Sequence, residues 1–220
     1  MQGSQGKAEK CRRKFLKFFP RGFYDEKYWA WERGYKRAAH EKWAESLSKP
    51  VFADLLDRGR YEEIGSLVLR TLSGTNLIFS FENMALRDAL KSKAGAQAFA
   101  EGLFQLVYGK GAMSARFDAW CDVIAGLPKK QSRVLTHPIA TVFGFVARPD
   151  KHIFLKPTVT KRAAEAYGFD FNYSSRPSWQ TYSSLLEFAG LLKHDLADLE
   201  PRDMVDIQSF IWVIGSDEYR

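Results

Sequence analysis

Cysteine, clustered histidine and long apolar runs are scarce in this sequence, and each scarcity excludes a class of protein. Only two cysteines occur, Cys11 and Cys121, far apart in the chain. A small secreted domain needs a dense disulfide framework, so these read as free thiols in a reducing compartment. The four histidines, His40, His137, His152 and His194, stand singly, and neither HExxH nor CxxC is present. No metal site is expected. A P-loop and a dinucleotide glycine fingerprint are also missing, and no cofactor is expected. No stretch approaches the about 18 apolar residues of a membrane helix. The longest run, Ile139 to Ala147, contains Thr141 and Gly144. Met1 to Lys14 carries charge without an apolar core, unlike a secretory signal. The expectation is a cytoplasmic protein without a membrane partner. Long runs of alternating apolar and polar residues are lacking too, which argues against a sheet.

What remains is a 220-residue chain, 45% hydrophobic, long enough to bury a sizeable core without staples. Its net charge of +7 is unevenly placed: residues 1–50 hold 13 Lys or Arg against 6 acids, and the other 170 residues hold 20 of each. A localised positive field attracts polyanions, of which nucleic acid is the commonest in a cytoplasm. A basic segment that merely keeps the chain hydrated is the alternative. Residues 1–10 are too polar to pack and are expected to form a disordered tail. The domain reading is a single helical domain over 11–220 that starts with a basic, aromatic-rich arm. There Arg12, Arg13, Lys14 and Lys17 interleave with Phe15, Phe18 and Phe19.

The chain reads as all-α, with about nine helices. Tyr28, Trp31, Tyr35 and Ala38 fall at steps of three and four, which predicts a helix over 25–47 that ends before Pro50. Further helices are predicted over 50–57, 60–72, 75–91, 94–108, 113–126, 130–147, 157–167, 179–196 and 203–214. Glycines mark the breaks: Gly59, Gly74, Gly95, and Gly109 with Gly111. Pro157 suits a first helical position, Gly168 a C-terminal stop, and Asp203 an N-cap.

Two of these helices place polar residues inside apolar surroundings. In the first, Asn76, Ser80 and Asn83 share one helical face flanked by Glu82, beside Phe81. Buried polar groups need partners, so such a stripe either satisfies neighbouring helix ends or lines a cavity. In the last helix Ile207, Ile211 and Ile214 form the core face, while Gln208 and Trp212 share another. An amide beside a flat ring suits a planar heterocycle, and equally suits a packed tryptophan beside a surface glutamine.

The stretch Leu135 to Gly168 resembles the core of helix-hairpin-helix DNA glycosylases. The loop and helix Phe154-Leu155-Lys156-Pro157-Thr158-Val159-Thr160-Lys161-Arg162, ending at Tyr167-Gly168, carries the likeness. Within that superfamily the archaeal 8-oxoguanine glycosylase branch is the most similar, through Gln208, Trp212 and Gly215 and through the Asn76 to Phe81 segment. The whole chain also looks like prokaryotic antiviral glycosylases that act on glucosylated hydroxymethylcytosine in phage DNA. The resemblance implies a monomer that binds double-stranded DNA, flips a modified base into a pocket and excises it, with or without a lyase step. Asn76, Ser80, Phe81, Gln208 and Trp212 would hold the base, and Arg12, Arg13, Lys14, Lys17, Lys161 and Arg162 the phosphates.

The sequence departs from the family in two places. The glycine-rich hairpin is replaced by Leu135-Thr136-His137-Pro138, and the family's catalytic aspartate by Lys156. A lysine cannot stabilise a cationic sugar as a carboxylate does. Either Lys156 is an amine nucleophile with a lowered pKa, or an acid from elsewhere acts, with Glu82 and Asp150 as candidates. Lys156 also reads as a phosphate contact or a solvated loop lysine. A non-catalytic DNA-binding or interaction module on the same scaffold is the alternative function.

Overall fold

The computed structural model describes residues 2–130 and 133–220, and over these the chain is built from helices without strands. The all-α expectation holds. Eleven helices exceed one turn among the described residues, against the nine or so expected: α1 Gln2–Phe18, α2 Gly34–Ser46, α3 Lys49–Asp57, α4 Tyr61–Thr71, α5 Ser80–Ala89, α6 Lys93–Tyr108, α7 Met113–Gly126, α8 His137–Ala147, α9 Pro157–Tyr167, α10 Trp179–Asp195 and α11 Met204–Gly215. A single helical turn, Glu26–Tyr28, and a π turn, Trp29–Arg33, lead into α2. None of these helices is long and apolar enough to cross a membrane.

Two helices start later than their apolar periodicity suggests. The one expected over 75–91 begins at Ser80, because Glu82 turns back to accept the Phe79 backbone N–H at 2.9 Å. The one expected over 130–147 begins at His137, where the Thr136 hydroxyl accepts the Ile139 N–H at 3.3 Å. Residues 131–132 of that expected helix lie outside the described residues. Side-chain acceptors at helix starts satisfy orphan N–H groups, and here they decide the boundary.

The N-terminal segment is not an arm. Helix α1 extends back to Gln2 through most of the segment expected to be a disordered tail; Met1 lies outside the described residues. Its packing starts only where the apolar residues start. Gly6 to Lys10 are exposed apart from a half-buried Ala8, whereas Cys11, Phe15 and Phe19 are buried at four-residue spacing. The Phe15 ring packs on Phe23 at 5.0 Å and on Phe210 of α11 at 5.2 Å. These aromatics are core, and α1 is docked on α9 and α11.

Helix α11 is the axis of the fold, packing against α1, α9, α10 and the π turn. Its approach to α9 is close enough that a Cβ on Gly215 would stand 2.2 Å from the Val159 carbonyl oxygen. Only glycine fits there.

The helix expected over 25–47 forms, but Tyr28, Trp31 and Tyr35 do not share one buried face. Tyr28 is buried and Tyr35 half-buried, but Trp29 and Trp31 are 49% and 53% exposed, and Glu32, Arg33 and Lys36 point inward instead. The π turn shifts the register, and partners on α11 make the exchange tolerable. Arg33 forks onto both oxygens of Asp203 at 2.9 and 2.8 Å. Asp206, wholly buried, accepts from the Tyr28 hydroxyl at 2.6 Å, from Arg33 at 2.8 Å, and from Arg202. Lys36 donates to Glu32 at 2.9 Å and to the Ser209 hydroxyl at 2.8 Å, and the Tyr219 hydroxyl closes the chain onto Glu32 at 2.6 Å.

Removing one member of a buried ion pair costs more than replacing both, because the survivor keeps its desolvation penalty. Glu32→Ala is therefore expected to lower the unfolding free energy by about 3–5 kcal/mol, measured by urea denaturation. The double replacement Glu32→Leu with Lys36→Met should cost far less than the single one. A single variant that loses under 1 kcal/mol would contradict this reading of the cluster.

Candidate functional site

Three helices aim their N-termini at one place. The first residues of α5, α8 and α9 line a single cavity of about 640 Å³, which Tyr173 and Trp212 also line. Each helix start carries a partial positive charge and unpaired N–H groups, so the convergence favours anions. The aromatic walls favour a flat ring. Phe79 and Phe81 lie parallel at 5.6 Å and remain 51% and 54% exposed, which gives the cavity an open stacking face.

Lys156 sits in this cavity at the N-cap of α9 and is buried. Its Nζ donates to the Leu77 carbonyl at 2.8 Å and lies over the Phe79 ring at 4.0 Å. Burial lowers its pKa below the usual lysine value, against the opposing charges of Glu82 and Glu218. Desolvation disfavours the ammonium form, and a lysine so placed is easier to deprotonate and use as a nucleophile.

Glu82 is committed elsewhere. One oxygen accepts the Phe79 N–H and the other accepts the Thr136 hydroxyl at 2.6 Å, so this buried carboxylate ties the start of α5 to the start of α8. His137 is likewise engaged: its Nε2–H donates to the Ser174 carbonyl at 2.7 Å, its ring packs on Tyr173 at 5.2 Å, and burial lowers its pKa. Trp212 donates its indole N–H to Glu218 at 3.1 Å.

A second cavity of about 260 Å³ shares Arg133 and Ser175 with the first and adds Lys129 and Arg176, with no acid in its lining. Lys161 lies over the ring of Tyr173, a residue of the first cavity, at 4.6 Å. Positive charge therefore gathers at the rim of the cavity.

No family model matches the chain, and no curated protein or solved structure matches it either. The site must be read from its own geometry.

Of the residues singled out in the sequence, Lys156, Glu82, Phe81 and Trp212 meet in the cavity. The others do not. Asn76 and Ser80 are exposed outside its lining, because the chain at 75–79 is not helical and the expected polar stripe does not form. Gln208 is buried within α11 away from the cavity lining, its side-chain oxygen without a partner. Asp150 is clamped by both arms of the Arg148 guanidinium at 3.0 and 2.9 Å, which holds its carboxyl below the usual range. It does not line the cavity.

The expected phosphate contacts divide in the same way. Arg12 is paired with Asp198, Lys14 donates to the Ile214 carbonyl at 3.3 Å, and Arg162 pairs with Asp217 at 2.9 Å. Arg13 and Lys17 are exposed on α1, and Lys161 alone of the six stands beside a cavity residue. Sequence reasoning missed Phe79, Arg133, Thr136, His137 and Tyr173. The available signal was the pair of capping patterns, Thr136-His137-Pro138 and Lys156-Pro157, each of which marks a helix start.

Because Glu82 supplies hydrogen bonds to two helix starts, Glu82→Ala is expected to lose about 2–4 kcal/mol of stability. Glu82→Gln, which keeps one acceptor while the Thr136 hydroxyl can turn, should lose about 1 kcal/mol. Urea midpoints that leave the alanine variant unchanged would show that the carboxylate does not hold these helices.

Proposed function

We propose that this protein is a DNA glycosylase that takes a modified base into the cavity and releases it by attack of the Lys156 amine on the sugar. A buried amine with a lowered pKa, at the meeting point of three helix N-termini in an aromatic-walled cavity, carries the proposal. Each element answers a need of that reaction. Base flipping costs a few kcal/mol. Stacking on aromatic rings returns about 1–3 kcal/mol per base. Phe79, Phe81, Tyr173 and Trp212 offer such surfaces, and the phosphates flanking the extruded nucleotide would meet Arg133, Lys129, Arg176 and Lys161. These contacts set affinity and register, and the cavity sets the choice of base.

In the reaction the Nζ lone pair attacks C1′ while the glycosidic electron pair leaves with the base. The covalent sugar adduct then resolves to an abasic site or a cut strand. A cavity of about 640 Å³ has more room than a plain pyrimidine fills. A base bearing a sugar is therefore the substrate we favour, glucosylated hydroxymethylcytosine of phage DNA being the first to test. An antiviral role and a cytoplasmic setting would follow from that substrate.

The alternative is a non-catalytic DNA-binding module, favoured by one observation: the Lys156 amine already has a partner in the Leu77 carbonyl. DNAs bearing normal, oxidised, deaminated and glucosylated bases separate the two readings when assayed for free base and abasic sites. The expected result is release from one modified DNA and a loss of at least about 10³-fold in Lys156→Met with binding retained. Tight, salt-dependent binding without release from any DNA would replace the glycosylase with the module.

A further inference from the structure

The π turn exchanges charge for aromatic surface: it brings Glu32, Arg33 and Lys36 inside and leaves Trp31 53% exposed. Burial energetics favour the reverse, and the exchange is tolerable only with Asp203, Asp206 and Ser209 as partners. Turns of this kind frequently fall at functional sites. We propose that Trp31, with the cations around it, is a stacking platform for an unpaired polynucleotide strand. The platform does not depend on the reaction proposed for the cavity, which none of its residues lines.

Its parts come from α1, from the helical turn and from the π turn. The Lys27 ammonium lies over the Trp31 ring at 4.1 Å and over the Phe18 ring at 6.0 Å, and the Lys17 ammonium stands 5.7 Å from the same phenylalanine. Phe19, wholly buried, meets Trp31 edge to face at 6.4 Å, and Phe18 meets Tyr219 in the same way at 5.0 Å. The tryptophan is thus held from the core side while its outer part stays in water. On α1, the exposed Lys10 and Arg13 precede Lys17 by seven and four residues, which sets the three on one face of the helix. Among the described residues, none of Lys10, Arg13, Lys17 and Lys27 is in an ion pair. The acids nearest in sequence to Lys27 are engaged: Asp25 accepts the Lys27 N–H at 2.9 Å, and Glu26 faces Arg21 at 3.7 Å.

Charge and ring together select the partner. A row of unpaired cations matches a row of phosphates, and a flat exposed ring matches the face of a base. Inside a duplex those faces are already stacked on their neighbours, so the ring serves an unpaired strand. Every base has such a face, and the contact is therefore independent of sequence. Free phosphate would use the cations and leave the ring in water.

The test uses the full chain and a fluorescently labelled oligothymidylate, read by fluorescence anisotropy. Trp31→Ala, an exposed substitution whose folding is checked by its urea midpoint, is expected to weaken binding at least ~10-fold, and Trp31→Phe, which keeps a ring, to weaken it far less. The oligonucleotide should quench tryptophan emission in the wild type and quench it less in Trp31→Phe. Counterion release gives a single strand a slope of about −0.7 per phosphate contact in log K against log salt, so Lys17→Gln with Lys27→Gln should flatten the slope by about 1.4. Trp31→Ala should leave that slope unchanged, and a blunt duplex of the same length should bind without any dependence on Trp31. The platform is overturned if the oligothymidylate does not bind, if Trp31→Ala binds it as tightly as the wild type does, or if the duplex loses as much affinity in that variant as the single strand. Should Trp31→Ala fail to fold, the other two variants decide, and an unchanged quench or an unflattened slope overturns the platform. Base release enters none of these measurements, so their outcome is separate from that of the glycosylase reading.

Discussion

The buried carboxylate of Asp206 is the point on which the rest of the molecule hangs. One side chain on α11 accepts from Tyr28, from Arg33 and three times from Arg202, counting the Arg202 backbone N–H. A carboxylate so deep is tolerable only when its charge is met and its lone pairs are used. The partners come from the helical turn and π turn before α2 and from Arg202 just before α11, so satisfying Asp206 fixes how these two segments meet. Asp203 adds a second tie, since it forks onto Arg33 and also caps α11 through the Val205 N–H at 2.9 Å. The Arg33 guanidinium outweighs the burial that would otherwise raise the Asp203 carboxyl, and holds it low.

The geometry of the cavity follows from that anchoring. Once α11 is fixed, the gap left at Gly215 lets α9 approach it at Val159, which brings Trp212 and Lys156 to the same cavity. Glu82 then ties α5 to α8, and Lys156 at the start of α9 donates to the Leu77 carbonyl just before α5, so the three helix starts are held by side chains rather than by chain continuity. The link to the far end of the chain runs through Tyr219, which reaches the Glu32–Lys36 pair and so sets where Glu218 stands against Trp212. The ionic cluster holds position, and burial in the cavity lowers the pKa of its amine.

Much of the helical order was legible from the sequence because glycines and prolines punctuate it. Gly168 ends α9 in the left-handed conformation at φ 85°, and Asp203 caps α11, as their positions suggest. The failures have a common cause. Where a helix start is set by a side chain that returns from the third residue, as Glu82 does to Phe79, apolar periodicity runs past the true boundary. That is why Asn76 reads as part of a helix and is not. The π turn hid a second feature, since it sends Trp31 outward and brings Glu32, Arg33 and Lys36 inward, against every rule that assigns aromatics to the core. In the site, Lys156 and Trp212 were visible as single residues. Their convergence was not, because it depends on α5, α8 and α9 pointing the same way, which no local pattern encodes. Charge misled for a related reason: the cations of α1 drew attention as phosphate ligands, but Arg12 and Lys14 already have partners, and the rim of the cavity is furnished by Arg133, Arg176 and Lys129.

The central claim is that the Lys156 amine bonds to the sugar of the nucleotide it acts on, and covalent capture tests it most directly. The protein would be mixed with substrate DNA in the presence of borohydride, the trapped species digested, and the modified peptide sequenced by mass spectrometry. The account predicts a reduced DNA adduct on the peptide that contains Lys156, absent in Lys156→Met. Base release from the same DNA with no trapped adduct, or an adduct on another residue, would contradict it.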